Sequence, residues 1–259
     1  MKKDVDVIVP TLRSTKFVEC LISSFIKFNN SYNFKFYIVE NSNFISDNSY
    51  VEGLAENVTV VNNNVDLSRY GNFAGSYYNA SACELGLKLS SSDLVFLCHN
   101  DVVATKENWL ESLHQKLLEG CGAASFIQDK LRINALHISG ILTTRRLATN
   151  VNLYCRLDSQ GAMLLDVGDE ITEYCRENNL PVFCHKNTHN STELVEKVKS
   201  PFDTINVVRC LDENDDVIFM HCGRGTPKML GRYSGKGSGV SEWVDFVNVN
   251  LGLNVKVTS

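Results

Sequence analysis

Four prolines among 259 residues, and no glycine- or serine-rich linker, leave nothing that divides the chain. One large α/β domain, or such a domain with an appended subdomain, is therefore expected. No apolar run approaches the ~18 residues that a membrane-crossing helix needs, so no transmembrane segment is expected. Met1-Lys2-Lys3-Asp4 passes straight into an apolar strand, which leaves no room for a signal peptide. The nine cysteines are odd in number and scattered from Cys20 to Cys222, with no Cys-x-x-Cys pair. That excludes a cysteine zinc site and implies a reduced, cytoplasmic setting, with the inner face of a membrane as the second placement. A basic stripe is missing too. Lys and Arg number 25 against 30 Asp and Glu, a net charge of −5, which argues against nucleic acid as a partner. What is present is ordinary for a globular protein: 44% hydrophobic and 21% charged residues.

The most informative stretch is Leu94-Val95-Phe96-Leu97-Cys98-His99-Asn100-Asp101-Val102-Val103. Its apolar run reads as a strand buried on both faces, as a parallel sheet covered by helices demands. Ligands of such sheets bind beyond the carboxyl ends of the strands, where His99-Asn100-Asp101 falls. A carboxylate there, with a ring nitrogen beside it, suits a divalent cation carrying a phosphorylated substrate. The alternative is a plain turn or helix cap.

Around it, strand and helix alternate. Asp4 to Pro10 reads as a strand stopped by Pro10-Thr11, and Thr15 to Phe28 as an amphipathic helix. Phe34 to Val39 and Val58 to Val61 are strands, Gly71 to Leu89 a helix, and Lys106 to Leu118 another, with Trp109, Leu110, Leu113 and Leu117 at helical spacing. This is the pattern of βαβ units. Right-handed crossovers gather the tips at Thr11, Glu40 and Asp101 along one edge. The second half is looser. Strands are expected at Gly122 to Ile127, Ala135 to Leu142, Leu157 to Leu165 and Pro181 to Cys184, with a helix opening at Asp169. His185 to Asp203 reads as a polar connection. Asp212 to Asp215 turns between Ile205–Cys210 and Val217–Met220, which delivers His221. Gly231 to Gly239 is glycine-rich, and Glu242 to Leu251 an apolar helix or strand.

Val7-Ile8-Val9-Pro10-Thr11, Ile38-Val39-Glu40-Asn41-Ser42, Gly71-Asn72-Phe73-Ala74-Gly75 with Asn79, and Phe96 to Val102 with Trp109-Leu110 stand in one order and spacing. In that order the N-terminal half resembles a family 2 glycosyltransferase with the GT-A fold. The resemblance covers roughly residues 4 to 125. It implies a Rossmann-like, mixed and mostly parallel sheet flanked by helices, in a single domain with a less regular acceptor-side region. Residues 1–125 would bind the nucleotide sugar, and 126–259 the acceptor. Glu40 stands for the family's usual Asp, and His99 for the first Asp of its DxD motif.

The implied activity is metal-dependent, inverting transfer of a sugar from a nucleotide-diphosphate donor to a saccharide or glycoconjugate acceptor, as in polysaccharide biosynthesis. Asp101 and His221 would hold Mn²⁺ or Mg²⁺. Arg224 and Lys228 would clamp phosphate. Pro10, Thr11, Glu40, Asn41, Arg69, Asn72, Asn79, His99 and Asn100 would contact the nucleotide, and Asp66 shares the ribose or diphosphate with Arg69. The acceptor's base would be Asp169 or Glu170, with Asp158 and Asp166 competing for the role. Two alternatives stay open. One is a nucleotidyltransferase, although Leu12-Arg13-Ser14-Thr15 lacks the glycines of a phosphate loop. The other is a nucleotide- or sugar-binding module without turnover. His137, His185 and His189 lack ligand spacing for a second metal site. Trp243, Phe246 and Leu251 form the one face read as a peripheral membrane contact.

Overall fold

The computed structural model describes residues 2–42, 54–130, 133–189, 191–225, 228 and 238–255. The glycine-rich stretch expected from Gly231 lies, up to residue 237, outside the described residues. Elements follow in chain order: β1 Lys3–Thr11, α1 Thr15–Lys27, β2 Tyr32–Glu40, β3 Val58–Asn62, α2 Ala74–Leu89, β4 Leu94–Leu97, β5 Val102–Ala104 and α3 Trp109–Leu118. Then come β6 Ala123–Ser125, β7 Gln128–Asp129, β8 Ala135–Leu136, β9 Ile141–Thr144, α4 Arg145–Ala148, β10 Arg156–Leu157 and β11 Met163–Leu165. The rest are α5 Asp169–Glu177, β12 Val182–Cys184, β13 Lys186–Asn187, α6 Thr192–Lys197, β14 Val208–Leu211, β15 Val217–His221 and α7 Val240–Leu251.

The main sheet has seven strands in the order β12-β6-β9-β4-β1-β2-β3. All its pairings are parallel except those of β9, which runs antiparallel between β4 and β6. The expected mixed, mostly parallel sheet flanked by helices is therefore observed. β1, next to the central β4, has Val5, Val7, Ile8 and Val9 fully buried, as a strand covered on both faces requires. It runs on through Pro10 and Thr11, past its expected stop. Pairing with β4 ends at Ile8, while pairing with β2 carries on to Thr11 opposite Glu40. The sheet also crosses the expected division at residue 125, because β6 pairs with both β9 and β12.

A second, antiparallel sheet of four strands, β13-β14-β15-β5, stands beside the first. Here the sequence reading differs from the structure. Val102 and Val103 look like a continuation of the β4 run but leave the main sheet and pair with β15, Val102 opposite His221. Two sheets thus part at Cys98–Asp101, which turns those four residues into a corner. Phe25 of α1 fills the space behind it, with ring centroids 4.3 Å from Trp109, 5.9 Å from Phe96 and 6.3 Å from Phe219. Ser24 also accepts the Ala104 N–H at 3.2 Å, tying α1 to β5.

Further expectations need correcting. The strand expected over Ala135 to Leu142 is split into β8 and β9 by a 3₁₀ turn at Ile138–Gly140. The helix expected from Gly71 begins at Ala74, because Gly71 has φ 53° and ψ −122° and breaks the preceding 3₁₀ turn at Ser68–Phe73. The helix expected from Lys106 starts at Trp109, after Asn108 in the left-handed region. The single strand expected over Leu157 to Leu165 is a hairpin, β10 against β11. Asp158 makes its turn by accepting the N–H groups of Gln160 and Ala162, both at 2.8 Å. The C-terminal segment is the helix α7. Trp243, Phe246 and Leu251 are buried in the core that covers the second sheet, so the face read as a membrane contact is internal. No helix among the described residues is long and apolar enough to cross a membrane.

Candidate metal and nucleotide site

The corner between the sheets brings His221 to two side chains that lie far from it in sequence, His99 and Asp101. His99 and Asp101 are two residues apart, on either side of Asn100 in the turn that links β4 to β5. His221 arrives at the end of β15, opposite Val102. One ligand atom from each of the three lies within 4.8 Å of the other two. His221 Nε2 is 3.2 Å from Asp101 Oδ1, and His99 Nδ1 is 3.4 Å from His221 Nε2. The other Asp101 oxygen accepts the Gly225 N–H at 2.9 Å. That approach depends on glycine, since a Cβ at Gly225 would sit 2.6 Å from Asp101 Cβ. Behind the group, Asn79 Nδ2 lies 3.1 Å from His99 Nε2.

The electrostatics suit a cation. Burial acts to raise the Asp101 carboxyl, but His221, His99 and the Gly225 N–H together hold it well below the usual carboxylate range. Burial and the neighbouring His221 lower His99 to about 4, so its imidazole is neutral near pH 7 and able to donate a lone pair. An ionised carboxylate beside two imidazoles is a nitrogen–oxygen donor set for a divalent metal. These residues fit the ion that the sequence reading expects, with Asp101 and His221 as named and His99 beside them.

Beside this corner lie the tips of β1 and β2. Thr11 pairs with Glu40 across the sheet, and Asn100 donates to the Thr11 hydroxyl at 3.0 Å. Both Glu40 oxygens accept the Arg13 N–H at 3.1 Å, and one also accepts the Ser42 N–H at 3.0 Å. Pro10 is buried one residue back, opposite Val39. Asn41 gives its N–H to Thr11 O and accepts from Asn63 Nδ2 at 2.7 Å. The expected convergence of Thr11, Glu40 and the Asn100-Asp101 corner is therefore present.

The other candidates are placed less centrally. Arg69 is exposed, donates to the Tyr70 hydroxyl at 3.0 Å and lies 4.9 Å over its ring. Asn72 is exposed in the kinked turn before α2, and Asp66 accepts the Ser68 N–H. Arg224 is exposed with φ 59°, next to the Gly225 that reaches Asp101. Lys228 turns back, donating to the Cys222 carbonyl at 3.2 Å and its sulfur at 3.4 Å. Asp169 is buried and accepts the Asp166 N–H at 2.8 Å, so it shapes the turn ahead of α5. Glu170 is half-buried on the first turn of that helix. Asp158 sits in the β10–β11 turn described above. Asp166 is the carboxylate from this group near enough to His99 to interact with it electrostatically.

Sequence reasoning leaves two participants out and groups a third elsewhere. His99 is named with the nucleotide, although the same reading sets its ring nitrogen beside the Asp101 carboxylate as suited to a cation. Gly225 was passed over for its neighbour Arg224, and the Gly-Arg-Gly pattern was the available signal. His137, set aside on spacing, packs its ring 5.4 Å from His99 and 5.9 Å from His221, with His189 at 6.5 Å beyond it. Nothing in local spacing announces that meeting. His185 is elsewhere, stacked on Phe126 and bonded to Ser112.

No protein-family profile and no curated protein matches the chain. Among solved structures, it is similar to a mannosyltransferase from Pyrobaculum calidifontis in complex with GDP-Man and Mn²⁺, at 18% identity and TM-score 0.46 over 58% of this chain and 47% of that one. A glucosyl-3-phosphoglycerate synthase from Mycobacterium tuberculosis, in complex with Mn²⁺, UDP and glucosyl-3-phosphoglycerate, is similar at 14% identity and TM-score 0.47 over 70% of each chain. TarS from S. aureus is similar at 16% identity and TM-score 0.43 over 60% of this chain and 50% of that one. The chain thus spans about half the length of the mannosyltransferase and of TarS.

Proposed function

We propose that this chain is a metal-dependent glycosyltransferase that moves a sugar from a nucleotide-diphosphate donor to a saccharide or glycoconjugate acceptor. One observation carries the proposal. An ionised Asp101, with His99 and His221, stands at the corner where Thr11, Glu40 and Asn100 gather at the ends of parallel strands. Asp101 and His221 hold the ion. When bound, it neutralises the charge that develops on the departing diphosphate.

The chain's own residues supply the rest. Glu40 keeps unused lone pairs on a fixed carboxylate, which accepts a donor from the base or ribose. Thr11, Asn41 and Asn100 hold that edge in place through their bonds to one another and to Asn63. Arg224, exposed on the loop that reaches Asp101, offers its guanidinium to the phosphates. On the acceptor side, Asp166 takes the proton from the attacking hydroxyl. Asp169 is its positioning residue, and Glu170 is the second candidate base. With the base opposite the leaving group, attack is in line and the anomeric centre inverts. In this reading residues 1–125 bind the nucleotide, and residues 126–259 receive the acceptor apart from His221 and Arg224, which reach the donor's diphosphate.

A binding module without turnover is the second reading. It is favoured by the local roles of Asp158 and Asp169, both engaged with nearby backbone. The test is a thermal-shift panel of nucleotide diphosphates with and without Mn²⁺, repeated on Asp101→Ala. A manganese-dependent shift with one nucleotide, lost in the variant, supports the proposal. No shift with any nucleotide overturns it, and a shift without turnover of the matching nucleotide sugar favours the binding module.

A further inference from the structure

We infer that His99 is a third protein ligand to the ion, and that the site therefore selects a divalent transition metal over Mg²⁺. The inference rests on the reading above, in which Asp101 and His221 hold an ion beside a nucleotide diphosphate. Donor atoms that share one ion at bonds of about 2.1 Å lie roughly 3.0–3.5 Å apart. His99 Nδ1 and His221 Nε2 are 3.4 Å apart, and His221 Nε2 and Asp101 Oδ1 are 3.2 Å apart. All three atoms converge within 4.8 Å. They come from the β4–β5 corner and from the end of β15, so the fold itself sets their spacing.

The donor set then decides the metal. Mg²⁺ demands hard oxygen ligands in near-ideal octahedral geometry, and two of these three donors are imidazoles. Imidazole nitrogen suits iron, nickel and zinc, and affinity rises from Mn²⁺ through Fe²⁺ and Co²⁺ to Ni²⁺. Charge points the same way for the substrate. One carboxylate against a dication leaves a net +1, so the ion keeps more attraction for a diphosphate than it would between two aspartates.

Two neighbours support His99 in this role. A ligating histidine needs its other ring nitrogen to donate to a fixed partner. Asn79 lies 3.1 Å from His99 Nε2, and its amide presents either oxygen or nitrogen there by a half-turn. Asn79 is accordingly a positioning residue. His137 closes the other side, with its ring 5.4 Å from that of His99 and its own Nδ1 accepting the Ser139 N–H at 3.2 Å.

The test uses full-length protein without a polyhistidine tag, stripped by chelator and titrated calorimetrically with Mg²⁺, Mn²⁺ and Co²⁺. The Co²⁺ complex is also read by visible absorption. Co²⁺ should bind about tenfold or more tighter than Mn²⁺, and Mg²⁺ weakest of the three. His99→Asp should narrow the Co²⁺-to-Mg²⁺ ratio by about tenfold or more and shift the Co²⁺ spectrum as oxygen replaces nitrogen. Asn79→Leu should weaken Co²⁺ by about tenfold, with Asn79→Asp recovering it. If His99→Asp does not fold, His99→Gln is read in the same way and should weaken Co²⁺ more than Mg²⁺. Unchanged affinities and an unchanged spectrum in the His99 variants would place the ion on Asp101 and His221 alone. That overturns this inference and leaves the glycosyltransferase reading standing. A wild-type protein that binds none of the three ions, with UDP or GDP present or absent, sinks both.

Discussion

Asp6 lies within β1 opposite Val95 and Asp101 in the turn beyond β4, and both are almost fully buried, at 0% and 2% exposure. Their partners differ in kind. Asp6 receives three donors from one turn, the Ser91 and Ser92 N–H groups and the Ser92 hydroxyl, all between 2.6 and 2.8 Å. Those donors come from residues adjacent in sequence and fix the entry into β4. Asp101 receives one backbone N–H, from Gly225, and faces two imidazoles from separate segments. Burial alone therefore does not mark a functional carboxylate. Asp6 is enclosed by donors, whereas Asp101, proposed to hold the ion, is met by other donors of lone pairs.

The sharpest way to break that comparison is to remove one charge at each position. Asp101→Asn should abolish measurable metal binding and lower sugar transfer by at least about a hundredfold, since a Lewis-acidic ion supplies several kcal/mol. Its melting temperature in the absence of metal should fall less than that of Asp6→Asn, since the amide oxygen can still accept the Gly225 N–H. Calorimetric titration, a transfer assay and a melt on one preparation check all three. Asp6→Asn should do the reverse. The amide turns a donor toward Ser91 and Ser92 and should cost about 2 kcal/mol of stability, with metal affinity unchanged. A loss of stability in Asp101→Asn as large as in Asp6→Asn would end the distinction.

A smaller effect tests the one backbone donor at Asp101. Gly225→Ala places a Cβ 2.6 Å from Asp101 Cβ and 2.9 Å from its Oδ2. The loop and the Asp101 side chain must move apart, so metal affinity should fall by about tenfold, in line with other disturbed ligand supports. Some stability should be lost with it, because the 2.6 Å contact is with Asp101 Cβ, which no side-chain rotation relieves. Equal metal affinity in Gly225→Ala and wild type would show that the N–H does not orient Asp101.

The same contrast explains how much could be read from the chain itself. β1 and β4 are legible because continuous apolar runs such as Val5–Val9 and Leu94–Leu97 have one stable setting, a sheet covered on both faces. Thr11, Glu40 and Asp101 follow from them, since strand ends in such a sheet share an edge. The corner was less legible. Val102 and Val103 continue the apolar run of β4, and only tertiary pairing with β15 shows that they belong to another sheet. His137 and Gly225 reach the site through the loops that follow β8 and β15, and no periodic signal records where a loop returns. In the second half, strands of two or three residues such as β7, β8 and β10 are too short to show a period at all.

The smallest effect contrasts the site histidines with one that has no part in it. His185 lies under Phe183 and Phe126 with its Nε2 2.8 Å from the Ser112 hydroxyl, and burial lowers it from 6.5 to about 4. A histidine depressed in the folded state is protonated first in the unfolded chain. Its contribution is therefore intact above about pH 6.5 and is lost progressively as pH falls from there toward 4. Near pH 6 the loss should be about 1 kcal/mol, growing on further acidification. His185→Gln, which keeps a hydrogen-bonding side chain without the titration, should flatten the stability profile measured by urea unfolding between pH 7 and pH 5. Metal affinity at pH 7 should not change. An unflattened profile would assign the acid sensitivity to the His99–His221 corner instead, and the two histidine environments would no longer be separable by pH.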